Sequence, residues 1–118
     1  MLQIRKEHMR VLSAYMLQSF EDRMVERIES VFPEQYEEMG EAETRKLIHQ
    51  GIEKGAEHGI QSERDVATLI ELMVEFGSDF EMQRQRRWAR ELLKNPDLSG
   101  QGKIEILHLR LTGQEREE

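Results

Sequence analysis

The chain has 118 residues, of which 24 are acidic and 17 basic, and its formal net charge at pH 7 is −7. A chain of this length has room for one domain but not for two. It contains no cysteine, which excludes disulfides, thiolate nucleophiles and cysteine-ligated zinc. Its apolar runs are only a few residues long, and its first residues lack a signal-peptide stretch. We therefore expect a cytoplasmic protein that does not bind membranes.

The first long segment has the periodicity of an amphipathic helix. Apolar residues recur every three or four positions from Met9 to Val31, and Pro33 predicts that the helix ends just before it. Pro33 can then open a short second helix, which stops at Gly40. The predicted inward residues of the first helix are Met9, Leu12, Met16, Phe20, Met24, Ile28 and Val31.

A third helix is predicted over residues 43–57, and its unusual feature is glycine at every fourth position. An interior glycine costs about 1 kcal/mol of helix stability relative to alanine, so a compensating reason is expected. We expect a second helix to pack closely over Gly51 and Gly55, while Gly59 forms a left-handed cap. The alternative is that a ligand or a partner backbone lies on this stripe.

The next helix is predicted to be the centre of the bundle. It runs from Arg64 to Phe76 and is apolar on nearly every side, as expected for a helix surrounded by protein. Ser62 stands three residues before Asp65, which is the spacing of a capping box.

Two more helices are expected in the rest of the chain. One spans about residues 85–94, and its predicted inward residues are Trp88, Leu92 and Leu93. The last segment can be interpreted as a strand by its alternation, but Ile104, Leu107 and Leu111 form a helical stripe. A single strand would have no partner, so we predict a helix.

The predicted fold class is therefore all-α, a single compact bundle of five to six helices. One helical domain is expected over residues 1–112, followed by a flexible tail over residues 113–118.

The four histidines and the many carboxylates do not have the spacing of a metal site. The chain has one Glu-x-x-His motif, Glu105 to His108, whereas a di-iron bundle needs two. The segment from Asp97 to Leu109 resembles an EF-hand loop in outline. Its twelfth position is His108 instead of a bidentate carboxylate, and its fifth is Gln101. We therefore expect neither a metal ion nor a cofactor.

The chain has no motif typical of a catalytic serine nucleophile or of a nucleotide-binding site. No serine lies in a Gly-x-Ser-x-Gly elbow, and no glycine-rich phosphate loop is present. We expect no enzymatic activity and transfer no catalytic residue.

A basic cluster around the single tryptophan is the most distinctive charge feature. Residues 81–118 sum to +1, whereas residues 1–40 and 41–80 sum to −3 and −5. Three interpretations compete: pairing with glutamates of neighbouring helices while the tryptophan anchors the core, binding of a protein partner, and binding of nucleic acid. The net charge opposes nucleic acid. The cluster consists of Arg84, Arg86, Arg87, Trp88 and Arg90.

Several segments together resemble a group of small helical, mostly uncharacterised bacterial proteins. The shared pattern includes Gly-Ile pairs, Ser-Glu-Arg-Asp-Val and Phe-Gly-x-Asp-Phe, and "SFEDRM" is a looser match to the family's RFxxRM. Members are often encoded beside type VI secretion components, such as spike-tip proteins and toxic effectors. This chain departs from the family at "EMQRQRR", where an acidic, proline-containing loop is expected. The matched residues are Gly51, Ile52, Gly59, Ile60, Ser62, Glu63, Arg64, Asp65, Val66, Phe76, Gly77, Asp79, Phe80, Trp88 and Ala89.

The resemblance and the basic cluster together predict a non-enzymatic protein-binding module. It would be a chaperone, adaptor or accessory protein for a type VI secretion effector or spike component. Its acidic helices would meet a basic partner, and the arginine and tryptophan cluster would fix the register. One alternative is an immunity protein that blocks a cognate toxin, and another is a metal-dependent enzyme or sensor that uses His108. The sequence leaves the oligomeric state open.

Overall fold

A computed structural model describes the backbone of residues 2–117 and the side chains of residues 16–113. Within these limits the chain forms five α-helices and two 3₁₀ helices, with no β-strand. The predicted all-α fold class, with five to six helices, is confirmed. No helix in the described part of the chain is both long and apolar enough to cross a membrane. The α-helices are α1 (Leu2–Val31), α2 (Pro33–Glu57), α3 (Glu63–Phe76), α4 (Arg87–Leu93) and α5 (Gly100–Glu117).

The chain divides into two compact units, residues 1–45 and residues 46–118, and the division falls inside α2. The expectation of one domain over residues 1–112 stays a prediction. Helix α5 continues to Glu117, beyond the predicted end of the helical domain at residue 112.

Helix α1 ends at Val31, immediately before the Phe32–Pro33 junction, as the sequence predicted. Met16 and Val31 were predicted to face inward, but they are 53% and 48% exposed, so this part of the prediction is wrong. The side chains of Met9 and Leu12 lie outside the described residues. The buried side chains of α1 are Phe20, Met24, Val25 and Ile28.

Helix α2 joins the two helices that the sequence predicted on either side of Gly40. Gly40 has φ +79° and ψ 171°, which is not a helical conformation, so α2 consists of two helical segments that meet at a kink there. This backbone region is almost restricted to glycine, because a Cβ would make it strained. The predicted interruption of the helix at Gly40 is therefore present.

Arg45 ties α1 to α2 within residues 1–45. Its Nη1 donates to the Glu21 carboxylate and, at 3.0 Å, to Asp22, while its Nε donates to Glu41 at 3.1 Å. These hydrogen bonds, with that to Glu21 the strongest influence, raise the pKa of Arg45 above its ordinary value. Glu21 is only 8% exposed, so its carboxylate is a buried charge that Arg45 stabilises.

The glycine stripe of α2 is covered by the chain itself. A Cβ at Gly51 would lie 2.5 Å from the Ile70 side chain of α3, so a helix packs there as predicted. At Gly55 the nearest atom would be the main-chain oxygen of Ile60, at 2.7 Å. The loop after α2 is therefore the nearest cover of this position, and the Val66 side chain of α3 also packs there, at 3.5 Å. Gly59 has φ +77° and forms the predicted left-handed cap.

Helix α3 begins with the predicted N-cap, because Ser62 Oγ accepts a hydrogen bond from the Asp65 N–H at 3.1 Å. It packs against α5, which confirms the last segment as a helix. The buried hydrophobic residues of the two helices are Val66, Leu69, Ile70, Leu72, Met73, Ile104, Leu107 and Leu111.

Helix α4 begins later than predicted. Two 3₁₀ helices, Phe80–Met82 and Arg84–Arg86, occupy the connection before it. Ala89 and Leu93 are its buried residues, whereas Trp88 and Leu92 are only partly buried. The prediction that Trp88 anchors this helix in the core is therefore wrong in part, since some of its ring stays accessible.

Candidate functional site

The structure places one member of the predicted basic cluster in the interior. Arg86 is 8% exposed, and its Nη1 donates to Gln83 Oε1 at 2.8 Å. Its guanidinium also lies 5.2 Å from the centre of the Phe76 ring at the end of α3. Arg86 therefore links the 3₁₀ segment before α4 to the end of α3. It is not part of the candidate surface.

The other members of the cluster stay accessible. Arg84 and Arg87 are exposed, whereas Trp88 and Arg90 are partly buried. Arg87 Nε pairs with Glu91 at 3.2 Å, but both side chains are more than 60% exposed. A pair this exposed contributes little to stability, so Arg87 can exchange Glu91 for another carboxylate at small cost.

Arg110 of α5 belongs to this surface, although the sequence reasoning did not select it. Its guanidinium carbon lies 4.0 Å from the centre of the Trp88 ring, which is a cation–π contact. No sequence pattern pointed to this contact, because Arg110 and Trp88 lie on different helices. Lys103 of α5 also reaches α4, since its Nζ donates to the Leu93 oxygen at 2.7 Å.

These residues form a basic surface around one aromatic ring, which we call the α4–α5 surface. Arg84 lies four positions before Trp88, and Arg87 and Arg90 lie one and two positions from it along the chain. It can present several arginine N–H donors next to an apolar ring. The α4–α5 surface consists of Arg84, Arg87, Trp88, Arg90 and Arg110.

A groove of about 600 Å³ lies where the end of α2, the end of α4 and the start of α5 meet. Lys103 lines it and is 6% exposed. Its Nζ donates to the His58 oxygen at 2.9 Å as well as to Leu93, so the ammonium group sits at the carbonyl ends of two helices. The negative ends of the helix dipoles stabilise a cation there. Lys103 therefore has a structural role that accounts for its burial.

His58 lines the same groove. Burial lowers the pKa of its imidazole, and the nearby charge of Lys103 lowers it further. Glu57 and Glu81 act in the opposite direction but more weakly. The imidazole is consequently neutral at neutral pH.

The segment that resembles an EF-hand is a helix start. Helix α5 begins at Gly100, inside the would-be loop. Ser99 Oγ accepts a hydrogen bond from the Gly102 N–H at 3.0 Å, so Ser99 is the N-cap of α5. Within the part of the chain that the structure describes, no group of three histidine, aspartate or glutamate side chains could hold a metal ion.

No protein-family model matches the chain, and no curated protein or solved structure matches it either. The resemblance to proteins of type VI secretion loci therefore stays a prediction.

Proposed function

We propose that the protein is a non-enzymatic protein-binding module that acts through the α4–α5 surface. One observation carries this proposal: the Arg110 guanidinium stacks on a partly accessible Trp88, beside the exposed Arg84 and Arg87. Tryptophan and arginine are the residue types most enriched at interface hot spots. A tryptophan already held by a neighbour also loses less conformational freedom on binding, which lowers the cost of association.

The proposed setting is type VI secretion, where the module would serve as a chaperone, adaptor or accessory protein for an effector or spike component. The support is the sequence resemblance. Such a role needs only occlusion or positioning of the partner, so surface complementarity is sufficient and no reacting group is required.

An immunity protein is the second candidate, and one feature favours it. Five glutamates between residues 34 and 43 of α2 are exposed, and they could enter the basic cleft of a toxin that acts on nucleic acid. These five glutamates are Glu34, Glu37, Glu38, Glu41 and Glu43.

A metal-dependent enzyme or sensor is the alternative from another class.

The test is co-purification of the tagged protein from its native host, followed by reconstitution of the pair from purified components. Arg84→Glu with Arg87→Glu should weaken the reconstituted complex by at least about tenfold. The matched control is Lys46→Glu with Arg64→Glu, which makes the same charge change at two exposed residues of α2 and α3. Equal binding by both double variants would contradict the proposal.

Two further measurements separate the candidates. If the captured partner is a toxin and the protein inhibits it, the immunity role is supported over the adaptor role. A melting midpoint that rises with a divalent cation and falls back with a chelator would support the metal-dependent alternative.

A further inference from the structure

We infer that the partner segment bound by the α4–α5 surface is an acidic polypeptide that carries an apolar side chain for Trp88. This inference rests on the proposed function and names the chemistry of the contact. It differs from the sequence-based prediction that the acidic helices meet a basic partner.

The α4–α5 surface carries an excess of positive charge. Between Arg84 and Arg110 the chain has seven basic and three acidic residues. Arg86 and Lys103 are buried and Lys94 lines the groove, so four arginines belong to the surface. Of the acidic ones, Glu91 pairs with Arg87, and Asp97 lies in the loop before α5. The third, Glu105, lines a small pocket with residues of α3.

Within residues 16–113, whose side chains the structure describes, Glu91 is the one carboxylate that forms an ion pair with an arginine of this surface. The rest of the molecule is acidic, with residues 1–80 summing to −8. An acidic partner would meet a favourable potential here and a repulsive one elsewhere, which selects this surface for binding.

Arg110 lies over the Trp88 ring, with its guanidinium carbon 4.0 Å from the ring centre. A guanidinium has five N–H donors, and those that do not face the ring can donate to a carboxylate. A carboxylate bound there would stand beside the accessible part of the indole.

An apolar neighbour completes the site. Ile106 is partly buried and lies one helical turn before Arg110 on α5. Arginine, tryptophan and isoleucine together present donors for a carboxylate next to an apolar contact. A segment that alternates acidic and apolar side chains matches both features.

Nucleic acid would also pair with arginine and stack on tryptophan. The surface offers few exposed cations, and the net charge of −7 opposes a polyphosphate. We therefore argue for the acidic polypeptide and treat nucleic acid as an outcome that would overturn the inference.

Trp88 is the only tryptophan, so its fluorescence reports this surface alone. The probes are a short amphipathic peptide of glutamate and leucine, the same peptide with lysine for glutamate, and a single-stranded oligothymidylate. The glutamate peptide should change Trp88 emission in a saturable way, and added salt should weaken its binding. The lysine peptide and the oligothymidylate should bind at least about tenfold more weakly.

Two double variants and Arg110→Lys test whether the glutamate peptide binds at the α4–α5 surface. Arg84→Glu with Arg87→Glu should reduce affinity for the glutamate peptide by at least about tenfold, whereas Lys46→Glu with Arg64→Glu should leave it within about twofold. Arg110→Lys keeps the charge but loses the planar fork, so it should also bind more weakly. Tighter binding of the oligothymidylate, equal binding of both peptides, or equal effects of the two double variants would overturn the inference.

The inference and the proposed function fail in different ways. If the native partner requires Arg84 and Arg87 but its contacting segment is neutral or basic, the inference is wrong and the function stands. If the glutamate peptide binds as described but the Arg84→Glu, Arg87→Glu variant captures the native partner as well as the wild type does, the proposed function is wrong. The inference that this surface binds acidic polypeptides would then still stand. A dimer that forms through this surface and is lost in the Arg84→Glu, Arg87→Glu variant would also overturn the inference. A second copy of the chain would then occupy the surface instead of an acidic partner.

Discussion

The guanidinium of Arg110 covers one face of the Trp88 ring, with its central carbon 4.0 Å from the ring centre. The two residues lie on different helices and are 22 positions apart in the sequence. This contact fixes the position of the tryptophan while leaving part of it accessible.

Arg110→Ala should shift the emission of Trp88 to longer wavelength, because the indole loses its cover and meets more water. The stability should fall by only about 0.5–1 kcal/mol, the usual value of an exposed cation–π contact. Fluorescence and a thermal melt measure the two effects. Arg84→Ala is the control, and a similar spectral shift in both variants would show that Arg110 does not cover the ring.

Lys103→Met should destabilise the protein by about 2 kcal/mol, because hydrogen bonds from a charged donor contribute about 1.5–3 kcal/mol. The variant leaves the oxygens of His58 and Leu93 without the donor that now serves both. Urea denaturation checks this. Lys94→Met, at an exposed position of the same groove, should stay within about 0.5 kcal/mol of the wild type. Equal stability of the two variants would count against the structural role of Lys103.

Gly55→Ala should lower stability by about 1–3 kcal/mol even though alanine favours a helix, since overpacking outweighs the propensity gain of about 1 kcal/mol. The new Cβ would lie 2.7 Å from the Ile60 oxygen, and the Ile60 N–H is bonded back to the Gly55 oxygen. Gly113→Ala is the matched control, since its Cβ would meet nothing within 4 Å. It should be neutral or stabilising, and denaturation curves that rank the two variants the other way would refute the close packing at Gly55.

His58 should make stability depend on pH below its ordinary pKa of 6.5. Because folding lowers the pKa of this imidazole, the unfolded chain binds the proton more readily, so stability falls as the pH drops below 6.5 and the loss levels off below the lowered pKa. His58→Gln should therefore lose less stability than the wild type between about pH 7.5 and about pH 5.5. Denaturation at both pH values measures the difference, and parallel losses would show that His58 does not contribute.

Features that depend on nearby residues were predictable from the sequence. Pro33 marks the end of α1, Ser62 caps α3, and the Ile104, Leu107 and Leu111 stripe identifies α5 as a helix. Each of these follows from backbone geometry or from helical periodicity over a few turns. The exposure of Met16 could not be predicted in this way. Periodicity identifies the apolar face of a helix, but it does not show how much of that face other elements cover.

Buried polar side chains were not predictable, because their partners are distant in the sequence. Lys54 Nζ donates to the Ser78 oxygen at 2.6 Å and pairs with Glu81 at 2.7 Å, more than twenty residues away. Lys103 is buried for the same reason, since its partner His58 is 45 residues away. Arg86 is also buried, although it contacts Gln83 and Phe76, which are only three and ten residues before it. The basic cluster was visible in the sequence, but only the structure separates the interior Arg86 from the exposed arginines and adds Arg110.

Site-specific photo-crosslinking in the native host is the most direct measurement of partner binding at Trp88. A benzophenone amino acid replaces Gln85, which is exposed between Arg84 and Trp88 and leaves both in place, and separate control proteins carry it at Glu75 or Glu38, which are exposed on α3 and α2. We predict one crosslinked protein at position 85, none at position 75, and loss of the adduct when Arg84 and Arg87 are changed to glutamate. Adducts confined to position 38, or no protein adduct at position 85, would contradict binding through the α4–α5 surface.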